Sequence, residues 1–90
     1  SKVYIMARQF SFTPTTIRLQ YGGLYDLLFY SPDVFHGASV IQEGSLNAVV
    51  MPSMTSKLPV RVTKLGEIQI LCNEYCGLGH HLMKGRIIVE

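Results

Sequence analysis

The sequence predicts an all-β protein with the architecture of a Greek-key sandwich or barrel, on three observations. Apolar residues recur at every second position in short runs, as they do where alternate side chains of a strand face a core. Turn-forming Gly, Pro, Ser and Asp residues separate these runs at the spacing typical of such sandwiches. We find no apolar stripe of helical period longer than about ten residues.

The alternating runs predict seven or eight strands along the chain. The first run covers residues 3–8 and continues through Phe10 and Phe12. The remaining strands are predicted at residues 16–20, 24–30, 38–41, 46–51, 58–63, 67–71 and 85–89. His36 then lies in the loop before the strand predicted at residues 38–41. Pro59 indicates an edge strand or the first residue of a strand, because proline cannot donate to a ladder.

Composition bounds the size and class of the protein. Ninety residues with 48% hydrophobic content and a net charge of +2 support one core, so we expect a single domain over residues 1–90. The longest purely apolar runs are far shorter than the roughly 20 residues that cross a bilayer, and no targeting signal is visible, so we expect this stretch to be soluble. The basic residues form no cluster, which argues against nucleic acid as a partner.

The stretch LCNEYCGLGHHLM, residues 71–83, concentrates metal-binding side chains. It holds both cysteines, two of the three histidines and one of the four methionines. Because predicted strands flank it, we expect a loop between two adjacent strands at one end of the sandwich.

Three chemistries compete for this loop. Cys72 and Cys76 are close enough in sequence to form a disulfide, whose Cα atoms lie ~4.4 to 6.8 Å apart. A structural zinc site would take its ligands from Cys72, Cys76, His80 and either His81 or His36, although the spacing fits zinc elements poorly. Copper is favoured, because soft thiolate and thioether donors beside imidazole select it. A single blue-copper site would leave one cysteine unused, whereas two thiolates supply bridging sulfurs for two coppers.

The motif resembles that of a known family, the CuA domain of cytochrome c oxidase subunit II. The family signature C-x-E-x-C-G-x-x-H-x-x-M is matched by Cys72, Glu74, Cys76, Gly77, His80 and Met83. The family's D-V-x-H segment is matched by residues 33–36, which end at His36. With strands on both sides, the resemblance covers essentially the whole chain and implies a cupredoxin-like Greek-key fold.

The resemblance also implies a role for each matched residue. Cys72 and Cys76 would bridge two coppers, and His36 and His80 would each bind one of them through a ring nitrogen. Met83 and the backbone carbonyl of Glu74 would be weak axial ligands. In many oxidases this glutamate also reaches a magnesium ion at the junction with the catalytic subunit, so magnesium at Glu74 in a full complex is a further expectation.

The implied function is electron transfer within a respiratory oxidase. The domain would accept electrons from cytochrome c or a similar donor and pass them to haem in oxidase subunit I. It would lie at the outer face of a prokaryotic plasma membrane, anchored by a helix that this chain does not include, and the fragment itself would be monomeric. The isolated domain would transfer electrons without reducing oxygen. Two alternatives stay open: the CuA domain of a nitrous oxide reductase-like enzyme, and a non-redox copper or zinc module.

The chain departs from the family in two features that concern the electron donor. It has no tryptophan, although many members receive electrons through one, so aromatic candidates for the entry patch are Phe10, Phe12, Phe35 and Tyr75. Six acidic residues against eight basic ones leave little for the acidic face that attracts a basic cytochrome. We therefore expect a small, mainly apolar docking contact with weak salt dependence. In these features the chain resembles the compact subunits of prokaryotic B-type oxidases.

Overall fold

The computed structural model describes residues 1–9, 11–33, 36–42, 44–72 and 83–90. These residues form nine β-strands. The strands are β1 (Lys2–Arg8), β2 (Ser11–Thr13), β3 (Thr16–Leu19), β4 (Leu24–Tyr30), β5 (His36–Ile41), β6 (Ser45–Val50), β7 (Thr55–Arg61), β8 (Gly66–Leu71) and β9 (Lys84–Val89). Within the described ranges, no helix has the length and apolar character needed to cross a membrane.

The strands form two sheets that face each other across one hydrophobic core. One sheet has the order β2-β1-β4-β7 and the other the order β3-β9-β8-β5-β6. Most neighbours are antiparallel, but β1 pairs with β4 and β3 pairs with β9 in parallel. The prediction of an all-β sandwich is confirmed.

Period-two burial explains why these segments form strands. In β7 the odd positions from Thr55 are exposed, whereas Leu58 and Val60 are buried against the other sheet. Phe12 and Phe29 meet in the core as an edge-to-face pair with ring centroids 6.3 Å apart, which is a favoured aromatic geometry. The core therefore takes alternate side chains from both sheets, as in other sandwiches.

Two predictions about particular residues have different outcomes. Pro59 lies in β7, which pairs only with β4 among the described strands, so its expected place on an edge strand is confirmed. The prediction that His36 lies in a loop is wrong, because His36 is the first residue of β5 and pairs with Val50. Gly37, a weak strand former, disguised the start of the ladder in the sequence.

Strand directions define two ends of the sandwich. We call the end where β4 and β8 finish and β5 and β9 begin the site end; its marker residues are Arg8, Tyr30, His36, Val50, Leu71 and Lys84. The opposite end is the far end, marked by Lys2, Leu24, Ile41, Ser45, Gly66 and Val89. The described parts of the segment 71–83 therefore lie at the site end.

Candidate metal centre

Three of the six predicted metal ligands lie among the described residues, and all three are at the site end. His36 begins β5, Cys72 directly follows β8, and Met83 directly precedes β9. The other predicted ligands, Glu74, Cys76 and His80, lie outside the described residues, as does His81. The alternative of a disulfide between Cys72 and Cys76 is untested, because Cys76 lies outside the described residues.

Cys72 and Met83 occupy facing positions at the base of the loop. Leu71 pairs with Lys84 as the last register pair of β8 and β9, and the N–H of Cys72 donates a hydrogen bond of 3.2 Å to the carbonyl oxygen of Met83. Both side chains are buried in the hydrophobic core cluster. The antiparallel pairing thus brings a thiol and a thioether to neighbouring strands at the same depth of the sandwich.

His36 is brought to the same end by the next strand. β5 lies beside β8 in the five-stranded sheet, where Ser39 pairs with Leu71, one residue before Cys72. The side chain of His36 is fully buried. A buried imidazole, thiol and thioether therefore converge on the ends of three consecutive strands of one sheet.

The two ring nitrogens of His36 have different environments. Nε2 lies 3.0 Å from Oδ1 of Asp33, in hydrogen-bond contact. Nδ1 is buried and has no hydrogen-bond partner within the part of the chain that the structure describes. Buried polar atoms are nearly always paired, so an exception calls for an explanation such as an ion. A nitrogen ligand to a metal satisfies that requirement.

The described residues alone do not complete a metal site. No group of three or more His, Cys, Asp and Glu side chains comes together among them. This fits the predicted ligand set, since half of it belongs to residues 73–82. What the described half supplies is one imidazole, one thiol and one thioether, a donor set suited to copper and ill-suited to Mg²⁺ or Ca²⁺.

One part of the surface near this centre is apolar. Val49, Met51 and Met54 are each about half exposed, and they lie at the end of β6 and in the turn that follows it. The N–H of Ser53 donates a 2.7 Å hydrogen bond to the carbonyl oxygen of Ser31, which fixes that turn beside the segment leading to His36. An exposed apolar area thus adjoins the strand that carries the first predicted ligand.

Among the described residues, acidic side chains are scarce at the site end. Among the described acidic residues, Asp33 lies there, whereas Asp26, Glu67 and Glu90 lie in the half of the sandwich toward the far end. Of the aromatic entry candidates, Phe12 is fully buried and is therefore a core residue rather than a docking residue. The candidates Phe10, Phe35 and Tyr75 lie outside the described residues.

Sequence reasoning missed the contact between Asp33 and His36. In the sequence Asp33 stands out only as part of a motif, which does not indicate its partner. The available signal was the spacing of three residues between a carboxylate and a histidine at a turn, where an Asp side chain often accepts local hydrogen bonds.

Relatives of known function match nearly the whole chain. It is 39% identical over 89 residues to cytochrome c oxidase subunit 2 of Thermus thermophilus, an alignment that covers 98% of this chain and 64% of the relative. The chain therefore spans less than two thirds of that curated relative. No protein-family model matches the sequence.

Solved structures show the same fold. A heme-copper terminal oxidase dimer contains a chain that superposes with a TM-score of 0.87 at 30% identity, covering 100% of this chain and 65% of that one. The periplasmic domain of cytochrome oxidase subunit II from Bradyrhizobium japonicum gives a TM-score of 0.83 at 14% identity, over 99% of this chain and 83% of its own. Auracyanin A, a blue copper protein of Chloroflexus aurantiacus, gives 0.82 at 13% identity, over 100% and 98%.

The strand order, the buried donor set and these structural matches define a domain of the cupredoxin fold. More particularly, the chain is homologous to cytochrome c oxidase subunit 2, to which it is 39% identical over 89 residues. The resemblance to cytochrome c oxidase subunit II is confirmed as homology along nearly the whole chain.

Proposed function

We propose that residues 1–90 form one electron-transfer domain that holds a binuclear copper centre of the CuA type. The observation that carries the proposal is the buried Nδ1 of His36, which has no hydrogen-bond partner among the described residues, at the same sheet end as the thiol of Cys72 and the thioether of Met83. Homology to subunit 2 of an oxidase supports copper as the metal.

Six residues would hold the metal pair. The bridging thiolates would be Cys72 and Cys76, the imidazoles His36 and His80, and the axial groups the thioether of Met83 and the carbonyl oxygen of Glu74. Two thiolates argue for two coppers, because a single blue-copper site uses only one. When bound, the pair supplies a one-electron redox couple.

The chain's own contribution is to hold these donors rigidly. Cys72 and Met83 are attached to paired strands and joined by a backbone hydrogen bond, and His36 belongs to a ladder. Rigid donors move little when an electron arrives, and a small rearrangement allows fast transfer. Burial of all three side chains also keeps water away from the centre.

In the full protein the domain would be one component of an oxidoreductase complex. Its relatives are oxidase subunits, and one matched structure is a periplasmic domain. It would then lie at the outer face of a prokaryotic membrane, next to a catalytic subunit that takes its electrons to haem. A c-type cytochrome or a similar protein would be the donor. Magnesium at Glu74 would require that catalytic subunit.

The donor would dock at the apolar surface formed by Val49, Met51 and Met54. These side chains are exposed, adjoin the strand that begins at His36, and have one described acidic neighbour at their end, Asp33. Contacts of this kind suit the small interfaces of transient redox partners. Association should then depend on apolar contact more than on long-range attraction.

Metal counting and a reductive titration test the proposal. We expect the protein to bind two coppers per chain when loaded under conditions that keep its thiols reduced, and to take up one electron per copper pair reversibly. Zinc-loaded protein of the same preparation is the control for a redox-silent metal. One copper per chain, or a preference for zinc over copper, would contradict the proposal.

A further inference from the structure

Asp33 is the centre of the hydrogen bonds that surround His36. Its Oδ1 lies 3.0 Å from Nε2 of His36 and accepts a 3.2 Å hydrogen bond from the hydroxyl of Ser31. Its Oδ2 accepts a 2.8 Å hydrogen bond from the backbone N–H of Gln9. Both carboxylate oxygens are therefore engaged, and the side chain has little freedom to rotate.

Two different parts of the fold hold this carboxylate. Gln9 follows β1 in the four-stranded sheet, and Ser31 follows β4 in the same sheet. Ser31 is itself fully buried, and its carbonyl oxygen accepts from the N–H of Ser53 in the turn before β7. His36 belongs to the five-stranded sheet, so Asp33 links the opposite sheet to the imidazole across the site end.

The contact decides where the proton of the ring lies. An ionised carboxylate has acceptors only, so Nε2 must donate, and the neutral ring then carries its proton on Nε2. Nδ1 is left with a bare lone pair in a buried environment with no partner among the described residues. A metal needs such a lone pair, because only the unprotonated nitrogen can bind it.

We infer that Asp33 is a positioning residue for copper, acting through His36. It fixes the orientation and tautomer of the ring so that Nδ1 is presented to the metal, and its negative charge makes the imidazole a stronger donor. A stronger donor stabilises the more positive, oxidised state of the centre, so Asp33 lowers the reduction potential. The second half of this inference rests on the proposed copper function, and the first half does not.

The tautomer is measured first, on the metal-free protein. Long-range proton–nitrogen correlation spectra of the neutral His36 ring should show the proton on Nε2. Asp33→Ala should yield a mixture of tautomers. Asp26→Asn is the control, because it removes one negative charge from β4 toward the far end, and it should leave the ring signals unchanged. A proton found on Nδ1 of the wild-type ring would overturn the inference without any variant.

Copper-loaded variants test the second half. Asp33→Asn keeps an acceptor oxygen but removes the charge, so we expect copper to be retained and the potential to rise relative to wild type and Asp26→Asn. Asp33→Ala should in addition weaken copper binding by about 10- to 100-fold. If Asp33→Ala does not fold, the wild-type tautomer and the Asp33→Asn potential still decide the question.

The two proposals fail in distinguishable ways. Wild-type protein that binds fewer than two coppers contradicts the proposed function, whatever the tautomer of His36. A normal binuclear centre whose affinity and potential are the same in wild type, Asp33→Asn and Asp33→Ala overturns the role of Asp33 and leaves the function intact.

Discussion

The two ends of the sandwich differ in the backbone conformation of their turns and in the hydrogen bonding of their polar groups. At the far end, Gly22 and Gly66 adopt φ values of +80° and +97°, which glycine tolerates without a Cβ clash. The N–H of Gly22 donates to the carbonyl oxygen of Val62 at 2.8 Å, and the N–H of Val62 donates to that of Gly23 at 2.9 Å. At the far end, glycine-containing turns with hydrogen-bonded backbone groups connect the strands, so the role of this end is structural.

The site end contains energetically unfavourable features that we do not find among the described residues of the far end. Ser53 has a φ of +62°, in the left-handed region that side chains disfavour. Ser31 and His36 are fully buried, and Nδ1 of His36 lacks a partner among the described residues. Unfavourable features of this kind concentrate at functional sites. Changes at the site end should therefore alter metal chemistry, and changes at the far end should alter mainly stability.

Among substitutions at the two ends, Cys72→Ser is expected to have the largest effect on the metal centre. Loss of a bridging thiolate should abolish the two-copper centre, with loss of its visible absorption, because a hydroxyl is a poor ligand for copper. A buried hydroxyl should also lower the free energy of unfolding of the metal-free protein by about 1–3 kcal/mol. Copper analysis and metal-free denaturation measure the two effects. Retention of a normal centre would exclude Cys72 as a ligand.

Gly66→Ala, at the far end of β8, should lower stability and leave the copper centre unchanged. A Cβ at a φ of +97° should cost about 1–2 kcal/mol of stability, although no neighbouring atom lies within 4 Å of it. The copper spectrum should not change, because Gly66 begins β8 and Cys72 follows its opposite end. Gly44→Ala is the matched control: it has equal space and no positive φ, so its stability should stay within about 1 kcal/mol of wild type. Equal losses in the two variants would contradict the conformational explanation.

Met83→Leu should alter the centre without removing it. An axial thioether is a weak ligand, so both coppers should remain while the reduction potential rises. Met83 is buried, but a swap of similar volume should cost less than about 1.5 kcal/mol. Voltammetry of Met83→Leu beside Met51→Leu, an exposed methionine, separates ligation from a general methionine effect. Complete copper loss from Met83→Leu would count against its axial role.

The smallest effects concern the donor. Met54→Ser should slow second-order electron transfer from a c-type cytochrome about fivefold, the equivalent of roughly 1 kcal/mol of lost apolar contact. Leu65→Ser, a similar loss of exposed apolar surface next to Gly66 at the far end, should leave the rate unchanged. The wild-type rate should vary little with ionic strength. A steep fall with added salt would mean that charge, rather than apolar contact, guides docking.

Strand positions could be predicted better than strand ends. β4 was predicted with the bounds that the structure gives it, since its apolar residues stop at a Ser-Pro-Asp turn. The strand predicted at residues 58–63 is instead Thr55–Arg61. Val62 continues the apolar alternation and is fully buried, but it bonds to the turn at Gly22 and Gly23 rather than to the ladder. Sequence periodicity reports burial and does not report which backbone group accepts each hydrogen bond.

Some features of the candidate site could likewise be predicted from the sequence, and others could not. Which residue types converge could be predicted, because a motif lists donors and the flanking strands bring Cys72 and Met83 together. The role of Asp33 could be predicted only in part: its spacing of three residues from His36 is a local signal, but its carboxylate is also held by an N–H from Gln9, 24 residues earlier. Contacts between distant segments are set by the packed fold and leave no local pattern.

The most direct test of a binuclear copper centre is the electron paramagnetic resonance spectrum of the oxidised, copper-loaded protein, with copper counted on the same sample. When one unpaired electron is shared equally by two copper nuclei, each of spin 3/2, its resonance signal is split into seven hyperfine lines. We predict that pattern together with two coppers per chain. A four-line spectrum with one copper per chain would contradict the account and leave His36, Cys72 and Met83 as parts of a different metal site.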